Sequence, residues 1–222
     1  MKKILVPVDF SECATYAADL AVSLAEKLNA EVHFLTSLQS TPLWAKIGEN
    51  LLSDYTESYK RQKEAAENLQ VLRSRYADRH VPISLSFSTK ALLDLIPRYV
   101  DKEDITMIVM GSAGAAGLKE WMVGSHTQKV VRLSSVPVLV IKHPLNSVAL
   151  RNVAFASDFK ADAKDAFRQA VEFVTPFGPH MHLVHIHSAE TGDKAGDIDA
   201  FARMCWQLPV SRHDIQDLGI EL

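Results

Sequence analysis

Short apolar runs with no polar face alternate in regular order with segments of helical period, and this alternation most limits the folds open to the chain. Ile4-Leu5-Val6-Pro7-Val8 is apolar throughout. A strand of that kind must be covered on both faces, as in a parallel sheet. Asp9 ends the run. Ser11 is placed to cap a helix whose Ala14, Ala17, Ala18, Ala21, Leu24, Ala25 and Leu28 keep the 3.6-residue period. Small side chains on that stripe allow close packing on a sheet. Val32 to Leu38 reads as a second strand, residues 53–78 as a long polar-faced helix, and Val81 to Phe87 as a third strand. A short helix is expected over Leu92 to Val100, with Pro97 either in its first turn or at a kink. Ile105 to Met110 is strand four, residues 120–134 are helix four, and Val136 to Ile141 is strand five, with Pro137 near its start. Right-handed crossovers between such strands give an α/β domain with a doubly wound parallel sheet.

Composition narrows the function classes. The 222 residues are 47% hydrophobic and 23% charged, which excludes disordered and disulfide-scaffold classes. With 24 basic and 27 acidic residues the formal charge is -3, so nucleic acid and acidic lipid are not generally attracted and any phosphate binding must be local. Cys13 and Cys205 make no disulfide framework, and the apolar run after Met1-Lys2-Lys3 meets Asp9 too soon for a signal peptide. No run approaches the ~20 apolar residues of a membrane span. A reducing, cytoplasmic setting is expected, with neither nucleic acid nor membrane as partner.

The chain also resembles itself. A shift of 149 residues sets Ile4-Leu5-Val6-Pro7-Val8-Asp9-Phe10 against Val153-Ala154-Phe155-Ala156-Ser157-Asp158-Phe159. Without a gap, Ala17 then meets Ala166, Ala21 meets Ala170 and His33 meets His182. A repeat of this length implies two units, 1–145 and 151–222, separated by a polar, proline-containing junction at His143 to Ser147. The second copy reaches its third strand around His213 to Asp217 and lacks the counterpart of the glycine-bearing part of the first. Strand order 3-2-1 in that copy would leave its first strand at an uncovered edge.

Four of the nine glycines fall between Gly111 and Gly124, in Gly111-Ser112-Ala113-Gly114-Ala115-Ala116-Gly117 and then Val123-Gly124-Ser125-His126-Thr127. The first cluster follows a strand and the second opens a helix. Bare backbone can approach an anion closely, and a helix start adds free N–H donors and a favourable dipole, which suits a polyphosphate. The segment lacks the Gly-Lys-Ser/Thr ending of a Walker loop, and its glycine spacing and its place after strand four do not fit the dinucleotide fingerprint. In a five-stranded sheet of order 3-2-1-4-5 the switch point lies between strands one and four, so Asp9 and Gly111 face one another across a crevice.

Pro7-Val8-Asp9-Phe10-Ser11, Gly111-x2-Gly114-x9-Gly124-Ser125 and Val136-Pro137-Val138-Leu139-Val140 together resemble the universal stress protein family over residues 1–142. Residues 151–222 look like a truncated second copy, as in the family's tandem members. The resemblance implies an ATP-binding regulatory or stress-response protein with little or no turnover, and dimers through strand five. By position, Pro7 and Asp9 would border the adenosine, Ser37 would sit against the base, and Gly111, Ser112, Ala113, Gly114 and Gly117 would wrap the phosphates. Gly124, Ser125, His126 and Thr127 would complete the cradle. Ser37 stands where an apolar residue is usual, and His126 where a small or amide residue is commoner. The second unit, with Ala156 and Ile186 opposite Pro7 and Ser37, should not bind ATP. Its Asp158 is expected to cap the next helix.

Competing readings are a slow ATP-hydrolysing enzyme of the adenine-nucleotide α-hydrolase type, with Asp9 near Mg2+, and an interaction module without ligand. No catalytic base is identified. The unmatched apolar strand 136–141 points to a homodimer, and the protein partner is open. His180 and His182 share one face of a strand and His185 and His187 the other, so at most two could share an ion and no metal site is expected. Cys13, in the first turn of helix one, is expected to be a packed thiol. Lys60, Arg61, Lys63, Glu64 and Glu67 form a solvated helix face with i,i+4 pairs.

Overall fold

The computed structural model describes residues 2–38, 51–112, 125–145, 149–188 and 197–217, in two compact units, Met1–Val148 and Ala149–Leu222. In the first unit β1 (Lys2–Pro7), β2 (Ala30–Ser37), β3 (Ile83–Ser88), β4 (Met107–Gly111) and β5 (Val138–Ile141) pair in parallel, in the order β3-β2-β1-β4-β5. The helices between them are α1 (Glu12–Leu28), α2 (Leu51–Ser74), α3 (Leu92–Glu103) and α4 (Ser125–Leu133). This is the doubly wound α/β sheet that the alternating runs require. Its central strand is buried from Ile4 to Pro7. Right-handed crossovers put α1 and α2 on one face and α3 and α4 on the other. Leu5, Leu35, Leu95, Ile96, Val100, Ile108 and Val130 fill the α3–α4 side.

Local chemistry explains the element ends. The Ser11 hydroxyl caps α1 by accepting from Ala14 N at 3.2 Å, and the helix stops at Asn29 with φ 50°. Strand β2 begins at Ala30, two residues before expectation, and α2 ends at Ser74 instead of continuing to 78. The charged face of α2 carries the pairs Lys60–Glu64 at 3.9 Å and Lys63–Glu67 at 3.8 Å, with Arg61 held by Glu57.

Two prolines narrow the sequence reading: the first turn is excluded for Pro97, and β5 starts after Pro137. Pro97 is the sixth residue of α3, beyond the first turn, and the helix continues to Glu103. An interior proline costs about 3 kcal/mol. Burial of Leu95, Ile96 and Val100, at about 2 kcal/mol for each fully buried aliphatic side chain, outweighs it. Pro137 lies before β5, where its carbonyl accepts from Ile108 N at 2.9 Å and no donor is required of it. The expected helical residues 120–124 lie outside the described residues.

Beneath α3 runs a polar string. His33 Nδ1 is 3.1 Å from the Tyr99 hydroxyl, which is 3.0 Å from Ser86 Oγ, and His33 Nε2 lies 3.1 Å from Glu31 Oε1. Burial holds the His33 imidazole below its ordinary pKa, against the opposing pull of Glu31.

The second unit has β6 (Asn152–Ala156), α5 (Ala163–Val174), β7 (His180–Ser188), α6 (Ile198–Met204) and β8 (Val210–Asp217), with a parallel sheet of order β6-β7-β8. Phe159, Phe167, Met181, Leu183 and Phe201 form its core, with the Phe159 and Phe201 rings edge to face at 5.2 Å. Its register repeats that of the first unit 149 residues on. Lys3 pairs with Glu31 as Asn152 pairs with His180. Val8 N donates to Leu35 O at 2.9 Å, and Ser157 N donates to Val184 O at 3.1 Å. Asn29 and Gly178, again 149 apart, both close a helical segment in the left-handed conformation.

Candidate functional site

The crossover direction reverses between β1 and β4, so the chain leaves these adjacent strands toward opposite faces and opens a crevice at their carboxyl ends. A cavity of about 460 Å³ occupies it. Pro7, Val8 and Asp9 enter from β1, Met110 and Gly111 from β4, Ser125, His126 and Thr127 from the start of α4, and Ser37 from the end of β2. Seven sequence-derived site residues, Pro7, Asp9, Ser37, Gly111, Ser125, His126 and Thr127, thus line one cavity. Ser112 is buried beside Gly111, its N–H donating to Ile141 O at 2.9 Å. Ala113, Gly114, Gly117 and Gly124 lie outside the described residues.

Gly111 is a glycine because of close approach. A Cβ there would sit 2.5 Å from the Cys13 carbonyl oxygen, which is backbone and cannot turn aside. Across the same strand end the Thr127 hydroxyl donates to Gly111 O at 3.3 Å, fixing the first turn of α4 to β4. Asp9 Oδ1 accepts from Ser11 N at 3.0 Å, which aims the carboxylate back over the α1 start. Ser37 Oγ donates to Lys90 O at 2.7 Å, tying β2 to the segment that enters α3.

A helix start at α4, with its dipole and the Ser125 hydroxyl, suits an anion without a fixed cation. Among the described lining residues the ionisable side chains are Asp9, Cys13 and His126. Cys13 was expected to be packed, but it is partly exposed and lines the cavity. Ser11, Ala14 and Leu92 also line the cavity and were not foreseen as site residues. The i,i+3 spacing of Ser11 and Ala14 puts them on one side of the α1 start, a signal readable only once that start is known to face the crevice.

In the second unit Asp158 repeats the Asp9 geometry, its Oδ1 accepting from Lys160 N at 3.2 Å. That bond, above all, holds its carboxyl below the usual range. It does not cap α5 as expected. An intervening turn delays the helix to Ala163, where Asp162 holds the cap position without a side-chain bond.

Fold and crevice define the class, a doubly wound α/β protein with a cavity at the switch point. The chain belongs to the universal stress protein family, whose model matches residues 1–142. It is 29% identical over 151 residues to universal stress protein MJ0531 of Methanocaldococcus jannaschii, an alignment covering 64% of this chain and 83% of that one. A universal stress protein from Archaeoglobus fulgidus shares the fold over 97% of this chain and 78% of its own, with a TM-score of 0.74 at 22% identity. A universal stress protein solved in complex with cAMP aligns with 65% of this chain and 98% of its own, with a TM-score of 0.50 at 19% identity. Among the described residues no helix is long and apolar enough to cross a membrane.

Proposed function

We propose that the first unit binds ATP and acts as a stress-response regulator, through nucleotide-dependent conformation and a protein partner, in the cytoplasm. The observation that carries this reading is the meeting of the β1 end, the β4 end and the α4 start around one cavity of about 460 Å³, within the usual range for small-molecule sites. The α4 start and Ser125 suit phosphates, and Asp9 suits a Mg2+ accompanying them. The cAMP complex is a family precedent for an adenine nucleotide on this fold. Bound ATP stabilises the native state in proportion to occupancy, so calorimetry should give one site and the melting temperature should climb with ATP. No heat and no shift at millimolar ATP would end this reading.

The proposed role is without turnover. Asp9 is the one carboxylate among the described lining residues, and it is already held by the Ser11 N–H. Sustained multiple-turnover phosphate release from ATP would favour the hydrolase alternative, and an empty, unresponsive crevice would favour the ligand-free module.

We further propose that residues 151–222 are a partial second copy of the first unit, a reading supported by the 149-residue register of strand pairing and turn conformation. A homodimer through strand 136–141 is proposed from the edge position of β5, whose Val138, Leu139 and Val140 are only partly covered. A monomer by light scattering at high concentration would refute it.

A further inference from the structure

The β8 strand brings His213 to the face of the second sheet that already carries His180 and His182. His182 Nδ1 lies 3.1 Å from His213 Nε2, and the His180 ring stacks on His182 with centroids 4.7 Å apart at 24°. The arrangement follows from register. His182 stands opposite Ser211, so His213, two residues on, is its diagonal neighbour on the same face. Right-handed crossovers put α5 and α6 on the opposite side, with Phe167 and Phe201 packed on Met181 and Leu183, and Asn152, Ala154 and His213 are exposed. In the first unit the corresponding His33 is 3% exposed beneath Tyr99, whereas His182 is only partly covered.

We propose that His182 and His213, joined by His180, bind a divalent transition metal of the zinc, nickel and copper group. Zinc–imidazole bonds of about 2.0–2.1 Å in a tetrahedron set ligand nitrogens about 3.3 Å apart, close to the separation of His182 Nδ1 and His213 Nε2. The His182 tautomer is set correctly as well. His182 Nε2 lies 3.2 Å from Asn152 Oδ1, an acceptor, which favours the ring proton on Nε2 and leaves Nδ1 to accept from His213 Nε2–H; zinc would take the place of that shared proton, with His213 shifting its own to Nδ1. Among the described residues no three histidine, cysteine or carboxylate side chains form a ready-made cage. His180 completes the set by turning its Nε2 away from Ser211 Oγ, now 2.8 Å distant, and water takes the fourth position. Imidazole ligands favour zinc, copper and nickel over magnesium or calcium. The ion would staple β7 to β8 on the sheet face opposite α5 and α6.

The test uses the whole chain without a histidine tag, stripped with chelator and titrated with zinc by calorimetry at neutral pH. One zinc per chain is expected, with a rise in melting temperature. His182→Asn and His213→Asn should each abolish the uptake, Asn152→Leu should weaken it about tenfold, and His143→Asn should leave it unchanged. Imidazole nitrogen NMR on the unmutated protein gives a readout independent of variant folding, in which zinc should move the resonances of His182 Nδ1 and His213 Nε2. No zinc uptake, uptake unaltered in both histidine variants, or resonances that stay still would overturn the proposal.

Discussion

Phe10 and Phe159 stand 149 residues apart and hold the same left-handed backbone, φ 62° and 54°, each directly after the aspartate that follows its strand. Left-handed conformation costs a non-glycine residue about 1–2 kcal/mol, so an identical outlier at matching positions marks a turn that the surrounding structure imposes twice. The environments differ: Phe10 is 40% exposed, and Phe159 is 2% exposed in the second core.

That contrast predicts opposite mutational signs. Phe10→Gly removes the backbone penalty with little packing loss and should be neutral or stabilising by up to about 1 kcal/mol. Phe159→Gly gives up a buried ring, a loss of about 3–5 kcal/mol that the backbone relief only partly offsets. Chemical denaturation of both variants would check the pair.

Gly111→Ala drives a Cβ against the Cys13 carbonyl and should cost about 1–3 kcal/mol. It should also remove the ATP-dependent rise in melting temperature. Gly178→Asn, with open space around its Cβ and φ 60°, should be tolerated as Asn29 is. Thermal melts with and without ATP distinguish the two.

Asp9→Ala deletes a cavity-lining carboxylate and its bond to Ser11 N, and ATP affinity should fall about tenfold. Asp158→Ala makes the same local change in the second unit and should leave affinity unchanged. Calorimetric titration of each variant is the measurement.

His33 gives a pH prediction. Its folded pKa lies below the unfolded value near 6.5, so between the two the unfolded chain binds more protons and stability falls as pH drops. Above the unfolded value this contribution is fully present. In His33→Gln the decline in unfolding free energy from pH 7 toward pH 5 should be shallower, as read from urea midpoints.

The strand runs, the Ser11 cap and the order of the sheet were legible because each rests on local patterning plus one handedness rule. The crevice followed from the order, since it lies where two strands diverge. The Cys13–Gly111 contact was not legible: their 98-residue separation closes only when α1 packs beside β4. Nor was the meeting of His182 with His213, which depends on a register that periodicity leaves free. For Pro97 two places were open, the first turn or a kink, and the interior position that excludes the first turn is set by burial of Leu95, Ile96 and Val100, which no local pattern shows. Asp158 was misread as a helix cap because the turn delaying α5 leaves no clear mark between Lys160 and Ala163.

The hydrogen bond from Ser37 to Lys90 carries a chemical selectivity. The hydroxyl proton is already committed to a main-chain carbonyl, so toward the cavity this side chain can accept but not give. For a purine seated at the end of β2, an amino edge meets a waiting lone pair, whereas a keto edge sets oxygen against oxygen. On the proposed nucleotide-binding reading, that bond would favour adenine over guanine without itself touching the ligand.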